Sequence, residues 1–146
     1  MPNLQHNHPD YLAMEHIFKR KLYDRLLEWK TQRNGKTAIL VEGARRVGKS
    51  TLVEEFAQRE YDSYIIIDFN IASKQVKERF NDLMDMDMLF LQLQAIYHVS
   101  LIPRHSAIIF DEVQQCPKAR QAIKYLVKDG RYDYIEILLS AHYFTV

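Results

Sequence analysis

The chain has 146 residues, enough for one domain with a core, and its 47% hydrophobic and 27% charged content is that of a soluble globular protein. A net charge of +1 demands no polyanionic partner, and no run of about 18 apolar residues marks a membrane span. Cys116 is the single cysteine, which excludes an internal disulfide, and the polar Met1–Asp10 lacks a signal-peptide core, so the expectation is a cytoplasmic protein with no membrane partner.

Residues 1–10 read as a disordered tail, and residues 11–146 as one domain. His6 and His8 lie in that tail, and two histidines fall short of the three or four placed ligands a metal site needs. From Tyr11 to Lys30 the pattern is helical, with Phe18, Leu22, Leu26 and Trp29 on one face. Packing against the domain is the simplest role for this helix. A functional role would be for the segment just before the next strand to border a bound ligand. Asn34-Gly35 marks a turn.

Thr37 to Glu42 is a short apolar run that reads as a buried strand. It feeds into Gly43-Ala44-Arg45-Arg46-Val47-Gly48-Lys49-Ser50, which fits G-x-x-x-x-G-K-[ST]. Each fixed position has a physical task. Gly43 and Gly48 permit backbone conformations and close approaches that a side chain forbids. The N–H groups of the loop, from Gly43 through Thr51, converge on phosphate oxygens. Lys49 brings a positive charge to the β- and γ-phosphates, and the Ser50 hydroxyl is a hard oxygen ligand suited to Mg²⁺. Ser50 to Arg59 then places Leu52, Val53, Phe56 and Ala57 at helical spacing, so strand, glycine loop and helix occur in the order the motif requires.

A second strand is expected over Tyr64–Phe69, with Asp68, Phe69 and Asn70 at its C-terminal end, either as a strand-ending turn or in reach of a substrate. Residues 72–98 read as two helices interrupted near Asn81-Asp82. Asp85 and Asp87 suit a first helical turn, and the methionines around them are expected to pack. The stretch is no EF-hand, because the glycine and terminal glutamate at the required spacing are missing. Ala107 to Phe110 is a third strand ending in the acidic pair Asp111-Glu112. A helix from Pro117 to Lys128 and a strand from Tyr134 to about Leu139 complete the chain.

An acidic pair at a strand end can serve as a cap for the next helix. Joined to a phosphate loop about 60 residues upstream, it has a chemical reading. Asp111, on a strand expected beside the first, reaches the Mg²⁺ held by Ser50, usually through water. Glu112, expected to face the other side of the strand, polarises a water for attack on the γ-phosphate. The chain has no Asn-Lys-x-Asp motif for guanine, and small-molecule kinases need no water-activating glutamate. What remains is the class of P-loop ATPases with an additional strand and a catalytic glutamate.

On these motifs, together with Ile67-Asp68-Phe69, Phe110-Asp111-Glu112-Val113-Gln114 and Asp129-Gly130-Arg131-Tyr132-Asp133-Tyr134-Ile135-Glu136, the chain resembles the prokaryotic AAA-type ATPases that carry a C-terminal domain of unknown function. The resemblance covers about Ile17 to Glu136. It implies a three-layer α/β core with a parallel sheet, ATP and Mg²⁺ as cofactors, and hydrolysis with Glu112 and Lys49 as catalytic residues. Ser50 and Asp111 would serve the metal. The family's strand order 5-1-4-3-2 becomes 1-4-3-2 here, with the fifth strand missing. Where the family continues into a Thr-Gly-Ser sensor turn, this chain has Ile137 to Val146, so Ser140 would serve as sensor only in a shifted register. These departures read as a truncated or frame-shifted domain with impaired turnover. The alternatives are a non-hydrolysing remnant binding ATP or ADP, and a regulatory fragment that self-associates or pairs with an intact homologue. DNA is a suspected partner of the family, but no basic stripe with interleaved aromatics supports it here.

Overall fold

The structure is a computed structural model and describes residues 9–43 and 48–139. The expected tail over residues 1–8, with His6 and His8, lies outside the described residues, and so do Ala44–Val47 and Ser140–Val146. In chain order the elements are α1 (Pro9–Arg33), β1 (Ile39–Gly43), α2 (Lys49–Glu60), β2 (Ser63–Asp68), α3 (Lys74–Glu78), α4 (Met86–Tyr97), β3 (Ser106–Asp111), α5 (Pro117–Asp129) and β4 (Asp133–Leu139). Single 3₁₀ turns follow α3 at Arg79–Asn81 and β3 at Val113–Gln115. The first helix starts at Pro9, inside the stretch expected as tail, with Asp10 in its first turn where a carboxylate suits the helix dipole.

All strand pairings are parallel, in the order β1-β4-β3-β2, as the family resemblance implies. The register pairs Ile39 with Ile135, Ile109 with Ile135, and Asp68 with Asp111. One expectation is corrected by this order. The strand ending in Asp111 does not lie beside β1, because β4 separates them. Ser50, at the start of α2, nevertheless meets Asp111 across β4.

Strand alternation sorts the core into two layers. Ile39, Val41, Ile66, Ala107, Ile109, Ile135 and Ile137 pack on one face with Val53, Phe56 and Ala57 of α2 and Leu26 and Trp29 of α1. Ile65, Ile67, Ile108, Phe110 and Tyr134 pack on the other with α3, α4 and α5. Phe69, Phe80, Phe110 and Tyr134 form a chain of edge-to-face rings there, with centroids 5.3–6.2 Å apart. Phe18 and Leu22 are only half-buried, because the N-terminal half of α1 has less to pack on than Leu26 and Trp29 do.

Caps and turns follow local chemistry. The Asp85 carboxylate accepts from Met88 N–H and caps α4, while Gly130 at φ +84° ends α5. Leu89 is buried and Met86 packs against the core, but Met84 is 93% exposed and Met88 46%, so the expectation that these methionines pack holds only in part. Their spacing around the cap turns Met84 outward. Cys116 is buried and packs with α5, as expected of a small apolar residue. The Asp129–Glu136 motif is structural at its start. Asp133 is buried at the N-terminal end of β4, where it accepts from Tyr61 Oη at 2.6 Å and Arg104 Nη2 at 2.7 Å. No described helix is long and apolar enough to cross a membrane.

Candidate functional site

The site lies at the C-terminal edge of the sheet, at the ends of β1 and β3 on either side of β4, and at the start of α2. Gly43 is the last residue of β1. Gly48 adopts φ +69°, ψ 29°, a left-handed conformation that favours glycine, and its carbonyl accepts from Leu52 N–H as α2 begins. Among the described residues no side chain caps α2, and no acidic residue occupies its first turn. The first-turn N–H groups of Lys49, Ser50 and Thr51 therefore point out of the helix, at the positive end of its dipole. Such an end binds phosphate.

Lys49, at the first position of α2, is only 4% exposed, which places a buried cation beside this helix start. Ser50 Oγ donates to Asp111 Oδ1 at 3.2 Å. The bond joins α2 to the end of β3, across β4. Asp111 shares a sheet face with Ala107 and Ile109 by alternation, and that is the face α2 covers. Burial pushes the Asp111 carboxyl above its ordinary value. The Ser50 hydroxyl opposes that shift, and the charges of Asp68 and Glu112 add to it.

The donor set fits Mg²⁺. Hard oxygens from one hydroxyl and one carboxylate stand 3.2 Å apart. Neighbouring ligands of an octahedral Mg²⁺ at 2.0–2.1 Å are about 2.9 Å apart, so little movement separates the hydrogen-bonded pair from a chelating one. Mg²⁺ is ordinarily held by one or two protein oxygens together with substrate phosphates, and these two residues supply that much.

Glu112 differs from expectation. It is not part of β3, so strand alternation does not set its direction. Its backbone is left-handed at φ +53°, ψ 45°, and its carbonyl accepts from Gln115 N–H to start the 3₁₀ turn. Its Oε2 accepts from Gln114 Nε2 at 2.6 Å. Sequence patterns assign no role to Gln114, and the signals they offer are its place two residues after the acidic pair and its membership of the Phe110–Gln114 motif. Asp68 and Asn70 form a strand-ending turn, with Asn70 N–H donating to Asp68 Oδ1 at 2.9 Å. Of the loop residues expected to bind phosphate, Ala44, Arg45, Arg46 and Val47 lie outside the described residues.

The first helix reaches the same edge. Lys19 Cε lies 3.8 Å from where a Cβ on Gly48 would stand. Beside it an open cleft of about 630 Å³ runs between α1 and α2, lined by His16, Ile17, Tyr23, Leu52 and Arg59 among others.

Residues 35–143, about three quarters of the chain, match the sequence profile of the AAA domain. The chain belongs to the AAA domain family. The matched region starts after α1 and contains all four strands and both halves of the site. Membership supports nucleotide binding. No curated protein matches the chain. Among solved structures, PCH-2 of C. elegans aligns at 15% identity and a TM-score of 0.42, over 88% of this chain and 36% of that one. This chain thus spans little more than a third of PCH-2, and a TM-score of that size carries no argument.

Proposed function

We propose that this domain binds ATP with Mg²⁺ and hydrolyses it. The observation that carries the reading is the bond between Ser50 Oγ and Asp111 Oδ1, with the buried Lys49 beside the uncapped start of α2. Phosphates of ATP would lie at the first turn of α2, where the N–H groups and Lys49 offset their charge. Ser50 and Asp111 would hold Mg²⁺, which supplies charge neutralisation across the β- and γ-phosphates when bound. The base would lie towards the cleft between α1 and α2.

Glu112 is the general base of this reading. It comes one residue after the metal carboxylate, and its side chain is anchored by Gln114. Its carboxylate accepts the proton of the attacking water while the γ-phosphoryl group transfers. Lys49 offsets the charge that develops on the phosphoryl oxygens. Steady-state phosphate release with and without Mg²⁺ tests the reading. ATP turnover that needs Mg²⁺ and disappears in Glu112→Gln is the expected result. Turnover unaffected by that change would refute the assignment of Glu112, and tight binding without turnover would leave a nucleotide-binding module.

A further inference from the structure

We propose that Gln114 is a positioning residue for Glu112, fixing the orientation of its carboxylate. The inference rests on the reading of Glu112 as the general base. Gln114 Nε2 donates to Glu112 Oε2 at 2.6 Å, shorter than most charge-assisted N–H···O⁻ bonds at about 2.7–2.9 Å. The other half of the same amide is unsatisfied. Gln114 Oε1 is buried and has no hydrogen-bond partner among the described residues. Most buried polar atoms are paired, so an orphan calls for a reason.

The two observations explain each other. Rotating the amide by half a turn would bring Oε1 against the Glu112 carboxylate, oxygen against oxygen. The carboxylate therefore dictates the amide orientation, and Oε1 is left where no donor reaches it. The turn beneath is stiff enough to hold this arrangement. Val113 is fully buried, Gln115 N–H donates to the Glu112 carbonyl at 3.0 Å, and Cys116 N–H donates to the Val113 carbonyl at 3.0 Å. Glu112 itself sits in a left-handed backbone conformation beyond the end of β3, where the sheet no longer aims its side chain. Gln114 supplies the restraint the strand does not. A base has to be aligned with its water to act, and small misplacements are costly in rate.

Two measurements test this. The first needs no nucleotide. In the ¹⁵N-labelled chain, the side-chain amide resonance of Gln114 should stand apart from those of other glutamines and move towards them in Glu112→Gln. The second is the division between kcat and KM. Gln114→Met keeps the length and bulk but removes the donor, and Gln114→Glu keeps the shape but sets an acceptor against the carboxylate. Both should lower kcat for ATP by about tenfold or more while KM stays within about twofold. Neither should lower the residual rate of Glu112→Gln any further. A role in packing alone would spare kcat in Gln114→Met. An amide resonance indifferent to Glu112→Gln, or a Gln114→Met enzyme with the parent's kcat, overturns the proposal. A parent that shows no turnover counts against the hydrolysis reading instead, and the amide resonance then decides the contact by itself.

Discussion

Ser50 and Asp111 are 61 positions apart in sequence and on elements that do not adjoin in the sheet, yet their side chains meet at 3.2 Å. The phosphate-loop strand and the acidic strand are separated by β4, a gap of two strand spacings or about 10 Å. The start of α2, at Ser50, meets Asp111 on the far side of that gap. The last strand in sequence, β4, is thus the spacer that sets the distance between the two halves of the site.

Lys49→Ala should weaken ATP binding by at least about tenfold. It removes charge-assisted contacts worth about 1.5–3 kcal/mol each, and about 1.4 kcal/mol is already tenfold. Titration calorimetry checks this, and unchanged affinity would remove the phosphate-loop assignment.

Glu112→Gln and Asp111→Asn should separate two functions. The first keeps the shape of the side chain but loses the basic oxygen, so ATP binding survives and phosphate release stops. The second keeps the hydrogen bond from Ser50 but removes a charge from the metal pair, so more Mg²⁺ is needed for the same ATP affinity. Binding isotherms at graded Mg²⁺ should shift for Asp111→Asn and coincide with the parent's for Glu112→Gln. The opposite pattern would exchange the roles of the two acids.

At Gly48→Ala the cost should be conformational rather than steric. An added Cβ meets nothing closer than Lys19 Cε at 3.8 Å, but φ +69° disfavours any residue with a Cβ. The expected destabilisation is about 1–2 kcal/mol, with weaker ATP binding as the start of α2 shifts. Chemical denaturation measures the first effect. A variant as stable as the parent and equal to it in ATP affinity would show that the loop does not depend on this conformation.

The pH dependence of stability should carry a signature of Glu136. This residue is 9% exposed on β4, its Oε1 lacks a hydrogen bond, and Arg120 Nε is 3.7 Å away. Burial raises its carboxyl above the ordinary value, and Arg120 opposes the shift. The folded chain therefore holds this proton more tightly than the unfolded one. That contribution to stability is complete below the unfolded value and is lost as pH rises through the raised folded value. Glu136→Gln should thus be more stable than the parent by about 1 kcal/mol near neutral pH, with the advantage shrinking as the solution is acidified. Denaturation midpoints at several pH values test this, and a difference independent of pH would contradict it.

Much of the architecture is legible in local patterns. The run before Asp111 is short, bounded and unbroken, which is how a strand buried on both faces looks in sequence, and β3 is one; the run before Gly43 looks the same, but β1 buries Val41 and leaves Leu40 and Glu42 exposed. The phosphate loop carries its chemistry in its spacing, and the residue types of Ser50 and Asp111 suit a shared metal before any geometry is known. What local patterns leave hidden depends on tertiary placement. That β4 lies between β1 and β3 follows from the family resemblance and from no local pattern. The left-handed backbone at Glu112 lies just past a strand end, where alternation stops being informative. The partnership of Gln114 with Glu112 is a product of that turn, and the approach of Lys19 to Gly48 depends on how α1 packs.

Trp29, the chain's one tryptophan, gives the fold a built-in optical reporter with a defined blind spot. It is buried between α1 and the sheet, and its indole Nε1 donates to the Thr37 carbonyl at 3.0 Å. Thr37 is at the start of the path through β1, and Gly43 is at its end, roughly 20 Å away at about 3.3 Å per residue. Intrinsic fluorescence should therefore follow the detachment of α1 from the sheet and ignore events at the phosphate loop. An emission change on adding nucleotide would mean that occupancy is transmitted along the length of α1 to its far end.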